Sequence, residues 1–201
     1  MEIGRYMKIF VMGLTACGKT RQAKNIAEHF GMAYISGSQV LLFELKFEDN
    51  STDHFWLESV GKNLNMVRDL TELDRYVDNL LLSKAVNENN LVFDSWTIPW
   101  LYSGLDAIRI YLKPSLDFRA TLAYNSKTNK SLLKDDLKEL ITIKDEESRT
   151  RFLKLYGFDI YDTSIFDIVF DNTLLEKQQT SEMLIQRITE ILIGQDDSHP
   201  L

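Results

Sequence analysis

The chain has 201 residues, 44% of them apolar and 26% charged, an ordinary globular composition that excludes disordered and fibrous classes. A single cysteine, Cys17, excludes a disulfide framework and a cysteine zinc cluster, and no run approaches the ~18 apolar residues of a membrane span. The 30 acids against 23 Lys and Arg leave a net charge of −7, which disfavours long nucleic acid as a partner while permitting a local phosphate site.

Met1 to Tyr6 is too short and polar for a signal peptide, so the expected compartment is the cytoplasm. Lys8-Ile9-Phe10-Val11-Met12 is a short apolar run ending at Gly13, the pattern of a buried parallel strand. Lys19 to Phe30 carries Ala23, Ile26, Ala27 and Phe30 at helical spacing, with Gly31 as its stop. Ala33-Tyr34-Ile35 follows as a strand, so the chain opens as a βαβ unit. Short helices are predicted over Val40 to Phe47 and His54 to Val60. A longer one runs from Leu70 to Val86 with Leu70, Leu73, Val77, Leu80, Leu81 and Ala85 on one stripe. A stretch of this length between strands exceeds a plain crossover and reads as a helical lobe.

Leu91-Val92-Phe93-Asp94 is the next buried strand and Ala107 to Leu112 the one after it, closed by Pro114. Ser115 is the expected N-cap of a helix from Leu116 to Tyr124. Two further helices are predicted, Leu132 to Ile143 and Glu146 to Tyr156, the second stopped by Gly157. A strand at Asp167 to Phe170 and a helix at Met183 to Ile193 complete the reading, with a disordered tail from Gln195. Five strands joined by helices imply a parallel α/β sheet covered on both faces, and periodicity leaves the strand order open.

Gly13-Leu14-Thr15-Ala16-Cys17-Gly18-Lys19-Thr20 matches G-x-x-x-x-G-K-[ST] after an apolar strand and before an amphipathic helix. Such a loop curls its N–H groups around phosphate oxygens, glycine permits the backbone angles, and the helix start adds its dipole. Lys19 would reach the β- and γ-phosphates, and the Thr20 hydroxyl would ligate Mg²⁺. Cys17 reads as a supplier of backbone N–H rather than as a low-pKa thiol. Asp94, at the end of its strand, stands where the acid that holds Mg²⁺ through water is expected.

Glu147-Ser148-Arg149-Thr150-Arg151-Phe152 with Tyr156-Gly157-Phe158-Asp159-Ile160 looks like an acid-Ser-x-x-Arg-aromatic segment followed by Tyr-Gly-Ile-Asp-Ile. With Ser164 to Thr173, Glu72-Leu73-Asp74-Arg75, and Leu112-Lys113-Pro114 leading to Arg119, it makes the chain similar to a known family. From Met7 to Ile193, with Asn50 to Val67 matching weakly, it resembles the archaeal-type cytidylate kinases of the P-loop nucleoside monophosphate kinase group.

The resemblance implies a single three-layer α/β/α kinase domain over residues 1–201, with a five-stranded parallel sheet. It also implies a helical acceptor-binding lobe over residues 36–90 and a short lid within 120–150. The implied activity is ATP-dependent phosphorylation of a small molecule, CMP by resemblance, with Mg²⁺ as cofactor and no membrane partner. Lys19 and Thr20 would bind the donor phosphates and metal. Arg119 would flank the donor nucleotide, Arg151 would approach the transferring group, and Asn172 and Thr173 would line the adenine pocket. By residue type alone both arginines read as solvated helix residues.

The departures from the family pattern lie on the acceptor side. Gln39 and Leu42 stand in place of an acid and a phosphate-holding arginine. Asp94 runs into Ser95-Trp96 instead of Glu-Gly-Arg, while in the lid Leu122 and Ser126 replace commonly basic positions and Lys144 stands where an arginine is expected. Two missing acceptor-phosphate arginines would cost on the order of 10²–10⁴ in acceptor affinity or rate unless Lys62, Arg68 or Arg75 compensates. Trp96 and Trp100 would stack a base or fill the core. Two alternatives therefore stand beside the CMP reading: a kinase of the same fold with another acceptor, and an ATP-binding protein without kinase activity. His29, His54 and His199 are scattered and suggest no metal site.

Overall fold

The computed structural model describes residues 7–44, 72–125 and 133–196. Five strands, β1 (Lys8–Gly13), β2 (Ala33–Ser36), β3 (Leu91–Asp94), β4 (Ala107–Leu112) and β5 (Ile168–Phe170), form one sheet in the order β2-β3-β1-β4-β5. Every pairing is parallel. The five predicted strands are all present, and the last begins one residue after Asp167, whose carboxylate instead accepts the Arg109 N–H at 2.7 Å.

Helices lie on both faces: α1 (Lys19–Phe30), α2 (Gly37–Glu44), α3 (Leu73–Asn87), α4 (Ile98–Leu101), α5 (Leu116–Tyr124), α6 (Lys134–Tyr156) and α7 (Lys177–Asp196). Side chains alternate across a strand, so β1 feeds two cores. Ile9 and Val11 join Ala23, Ile26, Leu184 and Ile188 beneath α1 and α7. Phe10 packs with Leu41, Val77, Leu81 and Ile98 from α2, α3 and α4, and Met12 with Tyr111, Phe152 and Phe166. All four β1 residues are fully buried, each contributing about 1.5–3 kcal/mol of apolar burial, which explains the unbroken apolar run.

The helix boundaries depart from expectation for local reasons. α2 starts at Gly37, before Val40, because the Ser36 hydroxyl accepts the Gln39 N–H at 3.3 Å and caps the first turn. The two helices predicted over Leu132 to Tyr156 are one helix, α6. Its middle, Lys144-Asp145-Glu146, holds neither Gly nor Pro, and charged residues alone do not end a helix. α6 is preceded by Leu133, whose N–H donates to Asp136 at 3.1 Å. α7 begins at Lys177, six residues before Met183, with Gln179 accepting the Glu176 N–H at 3.0 Å, and it runs to Asp196, past the expected start of a disordered tail. Ser115 caps α5 as expected, accepting the Phe118 N–H at 3.3 Å. The stripe of α3 is also different. Asp74, Val77, Asp78, Leu81 and Ala85 are its buried residues, while Leu80 is exposed. The helix predicted at His54 to Val60, and Lys62, Arg68, Leu70 and Ser126, lie outside the described residues.

The strand order puts β1 at the centre, with the chain leaving it towards β2 on one flank and crossing from β3 to β4 on the other. In parallel sheets of this kind a ligand crevice opens beyond the carboxyl ends of the strands where the winding changes direction. The loop after β1 and the acid ending β3 meet there.

Candidate active site

The Gly13–Thr20 loop owes its shape to its neighbours. A Cβ on Gly13 would lie 2.6 Å from Cys17 Sγ and 2.7 Å from the Leu112 carbonyl, so only glycine fits beside β4. Gly18 takes φ 88 at the entry to α1, a conformation glycine adopts without a Cβ clash. Ala16 is also left-handed, at φ 61, a strain of about 1–2 kcal/mol for a residue with a Cβ. The Cys17 N–H closes a turn onto the Leu14 carbonyl at 3.2 Å. No side chain caps α1 and its first turn carries no acid, so its N-terminal end keeps its positive character.

Lys19 and Thr20 open α1 and face β3. The Thr20 hydroxyl donates to Asp94 Oδ2 at 2.6 Å, and the Tyr34 hydroxyl donates to the same oxygen at 3.2 Å. Lys19 Nζ is 3.9 Å from Asp94 Oδ1 and 5.6 Å from the centre of the Trp96 ring. Asp94 pairs with Val11 across the β1–β3 ladder and with Ser36 across β2–β3, so three strands hold it in place.

A cavity of about 570 Å³ spreads from the loop. Asn172, Leu175, Lys177 and Thr180 line one end, and Gly37, Ser38, Leu41, Asp74, Asp78 and Trp96 the other. α6 supplies Lys144, Ser148 and Phe152, four residues apart on one helix face. The acids of the second end are engaged. Asp78 accepts from Thr97 Oγ1 at 2.5 Å and from the Tyr156 hydroxyl at 2.6 Å, and Asp74 lies 3.5 Å from Arg151 Nε. Burial, and then donation to Asp78, pushes the Tyr156 hydroxyl pKa up, so it remains a donor well into the alkaline range.

The residues predicted from sequence divide into two groups. Thr15 to Thr20, Asp94 and Asn172 come together on the cavity wall, where Asn172 Oδ1 is buried with no hydrogen-bond partner among the described residues. Gly13 and Leu14 lead into the loop from β1 without lining the cavity. Arg119, Arg151 and Thr173 are set back from that wall. Thr173 Oγ1 donates to Asp171 at 2.6 Å and accepts the Ser115 N–H at 2.8 Å. Arg151 faces Asp74. Arg119, 7% exposed, lies beneath the loop, its Nη1 donating to the Thr15 carbonyl at 3.1 Å and to Asp145 Oδ2 at 2.5 Å. Cys17 is buried, and desolvation pushes its thiol pKa up despite the nearby Lys19, which disfavours the thiolate.

Sequence reasoning gave no site role to Asp145, Ser148, Phe152 or Tyr34. The first three had a visible signal: Leu137, Ile141, Asp145, Ser148 and Phe152 form one helical stripe and are the buried residues of α6. A carboxylate on an apolar stripe must be paired, and Asp145 is. The aromatic tip of Tyr34 gave no such signal.

A phosphate loop on the central strand, an acid ending the adjacent strand and a parallel sheet between helical layers define a P-loop phosphotransferase. The cytidylate kinase-like family model matches residues 9–174, and the chain belongs to that family. It is similar to the cytidylate kinase of Desulfurococcus amylolyticus, 28% identical over 186 residues that cover 92% of this chain and 95% of that one. The cytidylate kinase of Pyrobaculum aerophilum is 31% identical over 167 residues, 83% of this chain and 84% of its own. In fold the chain is similar to the shikimate kinase of Bacteroides thetaiotaomicron, with a TM-score of 0.59, 17% identity, and coverage of 92% and 98%. With its family the protein is an ATP-dependent phosphotransferase. No helix among the described residues is long and apolar enough to cross a membrane.

Proposed function

We propose that the protein moves the γ-phosphoryl group of ATP to a small acceptor held beside Trp96, and that the acceptor is CMP, as the names of its relatives suggest. The observation that carries this reading is the Thr20–Asp94 contact of 2.6 Å with Lys19 beside it, at the mouth of a cavity extending in both directions. A hydroxyl and a carboxylate so placed suit a hydrated Mg²⁺ that travels with a triphosphate, Thr20 as direct ligand and Asp94 through water. When bound, that ion would neutralise charge on the phosphate oxygens.

The residues of this chain would do the remaining work. The loop N–H groups and the start of α1 hold the phosphate chain, and Lys19 sets its ammonium against the transferring group. Asn172 would face the adenine and Lys144 the phosphates from α6. Arg151, beside Asp74, would approach the transferring group from α6. Thr173 would support the adenine pocket through Ser115. Phosphoryl transfer needs little beyond such positioning and charge stabilisation.

A second reading, a different acceptor, is favoured by one feature of the far end. There the indole of Trp96 lies over Lys19, and Asp74 and Asp78 line the wall, a surface better suited to hydrogen-bond donors and flat apolar groups than to a second phosphate. A panel of CMP, UMP, AMP and non-nucleotide alcohols with Mg·ATP, followed by ADP release, separates the two. CMP turnover exceeding the others upholds the first reading. An alcohol turned over in preference to every monophosphate replaces it with the second.

A further inference from the structure

We propose that Asp145 is a positioning residue that, with Arg119, braces the phosphate loop from beneath and holds it in its ATP-receiving curl. The proposal rests on the reading of the loop as the ATP site and adds to it a residue outside any phosphate-binding motif.

The contacts close around a single residue of the loop. Asp145 Oδ1 accepts the Thr15 N–H at 2.9 Å, and Arg119 Nη1 donates to the Thr15 carbonyl at 3.1 Å. The two side chains then meet each other, Nη1 to Oδ2, at 2.5 Å. Both backbone groups of Thr15 are thus taken by opposite charges that also neutralise one another. Burial makes the arrangement matter: Asp145 is 1% exposed, Thr15 5% and Arg119 7%, so water has little access to replace any of these bonds.

The next residue explains what the brace resists. Ala16 stands at φ 61, where a side chain is unfavourable, and Thr15 immediately before it is the braced residue. A loop left to itself would relax that angle and carry its N–H groups away from the phosphate path. The Thr15 N–H is committed to Asp145, which leaves the N–H groups further along the loop as the phosphate cradle. The two braces come from α5 and α6, and α6 also reaches α3 through the Tyr156–Asp78 bond, so one helix links the donor loop to the far end of the cavity.

The test is calorimetric titration with ATP of the wild-type protein and of Asp145→Asn, matched by far-UV circular dichroism. The amide side chain keeps an oxygen for the Thr15 N–H but loses the charge facing Arg119. The Kd for ATP is expected to rise about tenfold or more, the scale of a lost charge-assisted bond. Adding Ala16→Gly to Asp145→Asn is expected to recover most of that loss, because glycine adopts the left-handed angle without being held there. A purely structural role for Asp145 would not be relieved at residue 16.

A Kd for Asp145→Asn within about twofold of wild type, less than half a decade in binding, overturns the proposal, as does a double variant no tighter than the single one. Amide exchange in the unaltered protein needs no variant to fold: the Thr15 amide should exchange more slowly than that of Ala16, and faster exchange at Thr15 overturns the brace. A wild-type protein that takes up no ATP refutes the site reading itself. That outcome is distinct from tight wild-type binding that Asp145→Asn leaves unchanged.

Discussion

The two ends of the cavity are made differently. The proposed donor end is a contiguous segment, Gly13 to Thr20, joined by Asp94 from the next strand in the sheet. The far end is assembled from residues far apart in the chain: Ser38 on α2, Asp74 and Asp78 on α3, Trp96 after β3 and Phe152 on α6. The phosphate groups of a nucleotide are chemically constant, so one local motif suffices to bind them. An acceptor is recognised by shape and by a few polar contacts, which separate elements can alter independently. Of the departures from the family pattern, Trp96 stands at that second end, whereas Leu42 is packed in the core beneath α2.

Removing Lys19 gives the largest expected effect. Lys19→Ala should lower transfer by about 10²–10³ or more with an unchanged circular dichroism spectrum, since its ammonium is the cation nearest Asp94 among the described residues. Turnover at the wild-type rate would break the donor half of the comparison. Trp96→Ala sharpens the other half. The acceptor KM should rise about tenfold while the Kd for ATP shifts by a smaller factor, because an aromatic ring stacked on a base contributes about 1–3 kcal/mol. Equal shifts in both would mean that the indole serves the donor end instead.

Tyr156→Phe removes the bond to the Asp78 carboxylate and should cost about 1.5–3 kcal/mol of stability, seen as a lower denaturation midpoint. An unaltered midpoint would show that Asp78 is held without the Tyr156 hydroxyl. The smallest effect concerns Cys17. Its thiol is buried and its pKa raised, so alkylation at neutral pH should be slow with or without ATP, and rapid labelling would place it at an open surface.

Much of this was legible in the sequence because the information is short-range. The strands announced themselves as apolar runs, since a parallel strand buried on both faces tolerates few polar residues. The glycine-rich loop was readable from eight residues because close packing against Cys17 and Leu112 requires glycine at position 13 and a left-handed backbone angle favours it at position 18. The split predicted within α6 is absent because a charged stretch does not end a helix, and Asp145 within it is buried and paired. Arg119 and Arg151 carried the opposite lesson. Each read as a solvated helix residue by type, yet each lies against a buried carboxylate from another element. Partners 26 residues apart, as Arg119 and Asp145 are, leave no periodic trace.

The sequence by itself determined the parallel α/β class and the glycine-rich loop with its lysine, because these depend on strand burial, local turn geometry and residue chemistry at fixed spacing. Tertiary structure alone decided the strand order, the brace of Asp145 and Arg119 under Thr15, and the acidic, aromatic lining of the far end. Those features arise where distant segments are packed into contact and buried charges must find partners, and no local pattern records which partner each will meet.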